Sequence, residues 1–333
     1  MKSTLLLTGL LASLLFLESS IEPSLKDAET AHRPLLSPSE QADLQLTGFA
    51  LKVAGERFEY RRSQGVWRCV SAYGAVGDPR LITDLTRALL TRTATSRAAA
   101  ETPKALASFG LNEATEIEFF RDEEQERALL FSIGEHVSSP NGSSVFVKRE
   151  GVEGIWELDS ADIDASITRR EAGFPPLMDR RLTAGCELNP GRGVLRAFLD
   201  FEEGTSLELR PQSDGGQLDW ILLEEGTQSK VLPYRLAGWL AFLQRAPYAG
   251  FGNPDELKDR GLAPPFARVT LFPPEAKPIE LVLGREVAGE VYLLNKTSGM
   301  LLLLPKAWSD LIAPSASMMT IADGKNPWER WLR

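Results

Sequence analysis

The reactive side chains of this chain are few and lie far apart in the sequence. Only two histidines occur, and one of them, His32, belongs to a stretch rich in proline and serine. The chain therefore has almost none of the histidines that a histidine-rich zinc site or a Ser-His-Asp triad needs. His136 could act as a lone base, but a position in a turn or on the surface explains it more simply. We predict no catalytic residue, no cofactor site and no metal site.

The two cysteines, Cys69 and Cys186, leave two alternatives open. Their spacing does not match a metal-binding motif. In an oxidising compartment they could form a disulfide that joins the first half of the chain to the start of the second. Otherwise they are two separate buried thiols, which behave as small apolar side chains. Cys69 follows Trp67 by two positions on a predicted strand, so both side chains would lie on one face.

The acidic and glycine-rich clusters do not point to a reaction either. Carboxylates are grouped at residues 122–124 and at Glu202 and Glu203, in predicted turns without a visible partner. Paired carboxylates can carry out acid–base catalysis, but at hairpin tips we interpret them as solvated. Residues 189–193 contain two glycines but lack the Lys-Ser/Thr pair and the helix of a phosphate-binding loop. We interpret them as a turn between domains.

Composition limits the class of protein and its partners. The chain has 333 residues, 43% of them hydrophobic and 25% charged, which is typical of a globular protein. That length suffices for two domains of roughly 150 residues each. The net charge of −9 argues against nucleic acid as a partner, because binding to a phosphate backbone needs a basic face.

The N-terminus has the pattern of an export signal. A positive Met1-Lys2 start precedes an apolar run from Leu5 to Leu17, and acidic Glu18 and Glu22 follow. This charge order places the N-terminus in the cytoplasm and exports the rest of the chain. The run is short for a membrane span and is not followed by a good cleavage site, so an uncleaved anchor and a cleaved signal both remain open. We assign residues 1–22 to this segment and residues 23–43 to a flexible tether.

The rest of the chain repeats one pattern at a spacing of about one domain. A Gly-Leu pair at Gly110 recurs at Gly261, 261 − 110 = 151 positions later, and is followed each time by an apolar run. The glycine that ends the next strand, Gly134, recurs at Gly284 after 284 − 134 = 150 positions. A period of this length indicates a duplicated domain rather than a solenoid repeat. We place the two repeats at residues 44–185 and 186–314.

Each repeat is predicted to hold a hairpin, a helix, a turn and a short antiparallel meander. In the first, a strand with Trp67 precedes a helix that begins at Asp78-Pro79, with Asp as N-cap. In the second, a strand with Trp220 precedes a helix from about Pro233. The fold class is therefore α+β, with two tandem domains built mostly of antiparallel sheet. Residues 44–170 and 193–312 should superpose, with the two tryptophans at equivalent positions.

The C-terminal tail, residues 315–333, ends in a cluster of aromatic and basic side chains. Trp328, Arg330 and Trp331 lie within its last six positions. Exposed aromatic and arginine side chains are common in docking surfaces, so these three residues are candidates for partner binding. Packing back onto the chain's own domain is the alternative.

These motifs together resemble the domain of unknown function 4340 family. The resemblance rests on the Trp67 strand, the Asp78-Pro79 helix, Phe109-Gly110-Leu111, Ser132-Ile133-Gly134, Val145-Phe146-Val147, Ile155-Trp156-Glu157-Leu158, and the segment from Phe174 to Leu182. It implies a single-pass protein of the bacterial inner membrane with its bulk outside the cytoplasm. It also implies a membrane transporter of the ABC type, or an auxiliary envelope protein, as partner.

We therefore expect a non-enzymatic, membrane-anchored accessory protein of an ABC-type transport system. The export signal, the tether, the duplication and the lack of catalytic groupings motivate this expectation beside the resemblance. The alternative is an extracytoplasmic hydrolase with an acidic site in the cleft between the two repeats. A concave site that holds two or more carboxylates with raised pKa values would favour that alternative.

Overall fold

A computed structural model provides the coordinates of the chain. It describes residues 32–44, 46–98, 101–121, 126–139, 142–159, 163, 167, 174–186, 194–214, 217–322 and 325–332. The predicted export segment, residues 1–22, lies outside these residues. Within the described ranges, no helix is both long enough and apolar enough to cross a membrane.

The chain divides into two compact units. The first takes in the described residues up to Leu46, then Leu51–Glu56 and Thr83–Ala165. The second takes in Thr47–Ala50, Arg57–Ile82 and the described residues from position 166 onward. Arg57–Ile82, which the sequence analysis places in the first domain, thus belongs to the second unit.

The first sheet has ten strands. In sheet order they run β1, β6, β10, β9, β8, β7, β2, β3, β4 and β5. Neighbours such as β8 and β9, or β9 and β10, pair in antiparallel fashion. The strands are β1 (His32–Pro34), β2 (Gly48–Val53), β3 (Glu56–Ser63), β4 (Val66–Cys69), β5 (Ala75–Val76), β6 (Thr93–Ala98), β7 (Thr115–Phe120), β8 (Arg127–Ser139), β9 (Gly142–Arg149) and β10 (Ile155–Asp159).

The second sheet has nine strands, in the order β15, β19, β18, β17, β16, β11, β12, β13 and β14. Apart from its edge strand β1, the first sheet has the corresponding order: the number of each strand in the second sheet is nine higher than that of the strand at the same place in the first. The strands are β11 (Arg196–Phe201), β12 (Ser206–Asp214), β13 (Gln217–Glu224), β14 (Thr227–Lys230), β15 (Gly250–Gly252), β16 (Ala267–Phe272), β17 (Ile279–Leu283), β18 (Val291–Asn295) and β19 (Met300–Leu304).

In the part of the chain that the structure describes, the helices are short and the two sheets are mostly antiparallel, as predicted. They are α1 (Pro38–Asp43), α2 (Pro79–Leu90), α3 (Pro103–Ser108), α4 (Pro233–Arg245), α5 (Ser309–Ile312) and α6 (Ala316–Thr320). Asp78 caps α2 as expected, because its Oδ1 accepts hydrogen bonds from the N–H groups of Arg80 (2.8 Å) and Leu81 (3.2 Å). At α4 the N-cap position holds Leu232, whose side chain cannot accept such a bond.

The Gly-Leu pairs that mark the repeated pattern make two similar tight turns. Gly110 and Gly261 both adopt left-handed backbone angles, with φ of 67° and 68°. A Cβ at Gly110 would lie 2.7 Å from the backbone nitrogen of Glu135, and one at Gly261 would lie 2.4 Å from the carbonyl oxygen of Arg285. Both positions therefore need glycine for its backbone angles and for its lack of a side chain.

The apolar faces of the two longer helices are buried. In α2 the predicted residues Ile82, Leu85, Ala88 and Leu89 are buried, and Leu81 is half-buried. In α4, Leu236, Trp239 and Leu243 are buried, and the Trp239 indole donates a hydrogen bond to the Ile312 carbonyl (3.1 Å). Helical spacing of apolar residues thus located both faces correctly.

The predicted tether extends too far along the chain. Residues 32–43, assigned to it above, form β1 and α1 instead. Leu35 and Leu36 between them are buried, and Ser37 forms a capping box with Glu40 at the start of α1. The prolines here begin a helix rather than prevent one.

Candidate functional site

The densest polar network in the second unit surrounds residues 174–186, which we call the second strap. This segment begins with Phe174 and ends with Cys186, and most of its side chains are buried. Its backbone is fixed on one side by Asp78, whose N–H donates to the Leu177 carbonyl (2.7 Å). The Tyr60 hydroxyl donates to the carbonyl of Pro176 in the same segment.

A bidentate ion pair lies at the centre of the second strap. Arg181 donates from Nε to Asp179 Oδ1 (2.8 Å) and from Nη2 to Oδ2 (2.6 Å). The Asp179 carboxylate is buried, and its hydrogen bond is the main reason why the pKa of Arg181 is raised. The bidentate pair thus fixes the Arg181 side chain to the buried carboxylate of the strap.

An antiparallel bridge fixes the second strap to the chain just before β15. Arg181 forms the bridge with Pro247, and the N–H of Tyr248 donates to the Arg180 carbonyl (3.2 Å). The Tyr248 hydroxyl donates in return to the carbonyl of Asp179 (3.0 Å). Burial raises the pKa of Tyr248 far above its ordinary value, so this hydroxyl remains a neutral donor.

Asn295, the last residue of β18, holds the following part of the second strap. Its Nδ2 donates to the Leu182 carbonyl (3.1 Å), and its Oδ1 accepts from the N–H of Ser298 (3.0 Å). The Cys186 thiol also lies 3.8 Å from Oδ1. Asn295 has an exposed fraction of 0%, so these bonds satisfy groups that water cannot reach.

The two cysteines of the chain are free thiols, and no disulfide joins them. Cys69 is buried on β4 opposite Tyr60, and Cys186 is half-buried beside Asn295. Burial raises the pKa of both thiols. A thiol held in its protonated form is a poor nucleophile, so this environment does not activate either cysteine.

A matching segment occurs in the first unit, at residues 32–37, which we call the first strap. It contains β1, which pairs with β6 in antiparallel register, with Pro34 opposite Thr93. Arg149, the last residue of β9, donates from Nη1 to the Leu35 carbonyl and pairs with Glu40 through Nη2. Hydrogen bonds from Arg149 and from the Ser37 backbone lower the pKa of Glu40 to about 2.

The two straps are held at corresponding points. In each, a side chain at the end of a strand donates to a buried leucine carbonyl: Arg149 to Leu35, and Asn295 to Leu182. An arginine two positions before each leucine stacks on an aromatic ring. The guanidinium of Arg33 lies 4.7 Å from the Trp156 ring centroid, and that of Arg180 lies 4.0 Å from the Phe174 centroid.

Carboxylates do line open concave surfaces of both units. In the first, a site of about 650 Å³ contains Glu101, Glu150 and Glu153, but Lys148 pairs with Glu101 and Arg127 with Glu150. In the second, a site of about 310 Å³ contains Glu202, Glu203 and Glu224, and Arg285 pairs with Glu202. Each of these two concave surfaces thus holds at least one carboxylate that is already paired with a basic side chain.

The other sequence candidates do not assemble into a site. His136 lies within β8 opposite Val145 and not in a turn. Residues 122–124 and 189–193 lie outside the described residues. Across the part of the chain that the structure describes, no three histidine, cysteine or acidic side chains are grouped closely enough to hold a metal ion.

The C-terminal aromatic residues pack onto their own unit, which is the second of the two alternatives above. Trp328 is fully buried against Gly238 of α4, and its Nε1 donates to the Leu311 carbonyl (3.2 Å). The Trp331 ring contacts Phe242 with centroids 5.4 Å apart, while Arg330 stacks on Trp331. Trp328 is therefore not available for partner binding, because burial of its indole is part of the fold.

The sequence alone does not indicate which residues hold the two straps. Asn295 and Arg149 each end an apolar strand, where a polar residue is ordinarily interpreted as the start of a turn. A signal was present, since Arg33 and Leu35 recur as Arg180 and Leu182, 182 − 35 = 147 positions later. Two matches in three positions are too few to notice without the structure.

Comparisons with known proteins give one family. A family model described as Domain of unknown function (DUF4340) matches residues 67–265, more than half of the chain. The search of curated proteins gave no match. A crystal structure of the Borreliella burgdorferi PlzA protein in complex with c-di-GMP aligns over 89% of this chain and 98% of that chain, with 8% identity and a TM-score of 0.13. That score is too low to support a common fold.

Proposed function

Because the chain belongs to the family described as Domain of unknown function (DUF4340), we propose that it is a non-enzymatic binding protein of an ABC-type transport system. In this proposal the apolar run from Leu5 to Leu17 anchors it in the bacterial inner membrane. The two units lie outside the cytoplasm and bind the transporter or an auxiliary envelope protein.

The state of the reactive side chains around the second strap supports a binding role over catalysis. Burial raises the pKa values of Cys69, Cys186, Tyr60 and Tyr248, so all four remain protonated. A nucleophile or a general base needs a pKa that is shifted toward the reactive form. Tyr60, Tyr248 and Cys186 instead donate to backbone carbonyls, as expected of side chains that hold a rigid scaffold.

We also propose that the two halves arose by tandem duplication. The nine-strand order that both sheets share supports this, as do the two glycine turns. Trp67 and Trp220 add an independent agreement. The N–H of Gly77 donates to the Trp67 carbonyl (2.9 Å), and the N–H of Val231 donates to the Trp220 carbonyl (2.8 Å). Gly77 and Val231 both lie two positions before the proline that begins a helix.

The repeats then begin earlier than the sequence pattern suggested. If Leu35 corresponds to Leu182, each repeat opens with a strap that pairs with the segment after its long helix. The first repeat would start near His32 and the second near Asp179. This places Asp179 and Arg181 at the start of a repeat and not in a connector.

Affinity isolation from membranes tests the proposed partner. The tagged full-length chain would be purified from its native host in mild detergent, beside an unrelated tagged single-pass envelope protein as control. We expect a transporter subunit or auxiliary membrane protein to be enriched only with this chain. Recovery of the same proteins with both baits, or of none, would contradict the proposal.

Fractionation tests the anchor separately. If Leu5–Leu17 spans the membrane, the purified chain keeps Met1 and remains with membranes after a high-salt wash, because salt screens charges but not hydrocarbon burial. Intact mass gives the N-terminus directly. A mature chain that starts near Ser20 in the soluble periplasmic fraction would refute the anchor and leave export unaffected.

A further inference from the structure

The N-terminus of α4 lacks the carboxylate that caps the corresponding helix α2. Asp78 occupies the position before Pro79 in α2, whereas Leu232 occupies the position before Pro233 in α4. The N–H of Tyr234 has no hydrogen-bond partner among the described residues, while Arg80 at the same place in α2 donates to Asp78. The positive end of the α4 dipole therefore has no anion against it.

A buried guanidinium lies at the same helix end. Arg235 has an exposed fraction of only 4%, and its Nε and Nη2 have no hydrogen-bond partner. Its remaining nitrogen, Nη1, donates to the Met318 carbonyl (2.6 Å). Within the described residues, no carboxylate pairs with it. Two buried guanidinium N–H groups are thus left without an acceptor, and an anion is the group that would satisfy both.

Arg235 and the first turn of α4 converge on one place. Side chains in a helix lean toward its N-terminus, and Arg235 is the third residue of α4. Its Nη1 reaches the Met318 carbonyl, while the N–H of Leu232 donates to the carbonyl of the next residue, Met319 (3.0 Å). The Arg235 guanidinium and the N-terminus of α4 thus both contact the adjacent residues Met318 and Met319.

We propose that Arg235 and the N-terminus of α4 form a binding site for a carboxylate group. In α2 the N–H of Arg80 donates to the carboxylate of Asp78, which defines the ligand chemistry. In α4 the corresponding N–H is that of Tyr234, because the N–H of Arg235 already donates to the Leu232 carbonyl (2.9 Å). The second half has Leu232 in place of Asp78 and Arg235 in place of Leu81. It therefore lacks the carboxylate that caps α2 and has instead a guanidinium that can bind a carboxylate from outside. The Arg235 guanidinium also lies 5.9 Å from the ring centroid of Tyr234, which is 44% exposed.

The comparison of α2 with α4 rests on the duplication proposed above, but the buried Nε and Nη2 of Arg235, which have no hydrogen-bond partner, do not. The site also does not depend on the transporter association, so failure of the affinity isolation would leave it unaffected. A free carboxylate ligand and a carboxylate of this chain share the same chemistry. Asp323, which lies outside the described residues, is the intrachain source that the experiment must exclude.

The test is an NMR titration of the full-length chain, labelled with nitrogen-15, with sodium acetate and with sodium chloride at equal ionic strength. We expect the Tyr234 amide and the Arg235 Nε–H signals to shift saturably with acetate and less with chloride. Arg235→Leu, which restores the α2 residue, should abolish the saturable shift. Arg245→Gln at the other end of α4 is the matched control and should respond like the unmodified chain.

A second variant keeps the proposal testable if Arg235→Leu does not fold. Leu232→Asp transfers the α2 cap to α4, so it should place the Tyr234 amide near its acetate-saturated position and remove the response to acetate. An acetate response in Leu232→Asp equal to that of the unmodified chain would overturn the proposal. An acetate response that appears only in Asp323→Asn would also overturn the proposal, because Asp323 would then be the natural occupant of the site.

Discussion

The first and second straps perform one task with different chemistry. Each is a short segment whose buried leucine carbonyl accepts a hydrogen bond from the last residue of a strand. In the first strap the donor is Arg149, which also pairs with Glu40; in the second it is the neutral amide of Asn295. The backbone requirement is thus the same, while the charge of the donor differs.

Solvent access explains the difference. The Glu40 side chain is 43% exposed, so the carboxylate that balances Arg149 keeps part of its hydration. Asn295 has no exposed surface, and the nearby Cys186 offers only a weakly polar thiol. A charged donor there would lose its hydration without a carboxylate to compensate, whereas an amide needs only hydrogen-bond partners. The depth of the strap therefore decides which donor is stable.

The largest effect should follow from removal of the deep donor. Asn295→Leu keeps a similar volume but leaves the Leu182 carbonyl and the Ser298 N–H unsatisfied in the interior. Each orphaned group costs about 1–3 kcal/mol, so we expect a loss of about 3 kcal/mol in the free energy of unfolding. Urea unfolding measures the loss, and hydrogen exchange of residues 179–186 localises it.

Asn112→Leu is the matched control for this substitution, since Asn112 is exposed and should change stability little. Equal losses in both variants would show that leucine itself is harmful and that the amide bonds do not matter. Faster exchange confined to the first strap would also contradict the assignment, because Asn295 contacts only the second.

A smaller effect should follow from removal of the charged donor. Arg149→Leu breaks the bonds to the Leu35 carbonyl and to Glu40, but Glu40 can then return to water. We therefore expect about 2 kcal/mol, less than for a fully buried pair. The control is Arg127→Leu, which breaks the exposed pair with Glu150 and should cost well under 1 kcal/mol. Urea unfolding compares Arg149→Leu with Arg127→Leu; equal losses would show that the bonds of Arg149 to Leu35 and Glu40 do not stabilise the first strap.

The elements around the straps could be predicted from the sequence because local signals determine them. The apolar face of α2 and the Asp78 cap follow from helical spacing and capping chemistry. The start of α4 follows from Pro233 in the same way. The apolar motif Val145-Phe146-Val147 likewise lies within β9.

The straps themselves could not be predicted, because their contacts join residues far apart in the chain. Leu35 and Arg149 are separated by 149 − 35 = 114 positions, and a lone arginine after an apolar strand carries no sign of its acceptor. The prolines of residues 32–43 also suggested a tether, since proline is common both in linkers and at helix starts. Tertiary packing decides between these outcomes, and a single sequence does not contain it.

The smallest effect, and the sharpest comparison, concerns the charge of Glu40 alone. Glu40→Gln keeps an acceptor for the Ser37 capping box but removes the ion pair with Arg149. Because the Glu40 side chain is more than a third exposed, we expect a loss of only about 0.5–1 kcal/mol at pH 7. Urea unfolding of both proteins between pH 7 and pH 2.5 measures the difference.

That difference should vanish in acid. The folded pKa of Glu40 is lowered from 4.5 to about 2, mainly by the Arg149 hydrogen bond. Above pH 4.5 the carboxylate is ionised in both the folded and the unfolded chain, so its contribution is complete. As pH falls from there toward 2, the unfolded chain binds the proton first and the contribution is lost. A difference that remained constant down to pH 2.5 would mean that the charge of Glu40 does not stabilise the first strap, whereas the neutral Asn295 donor should show no such acid transition.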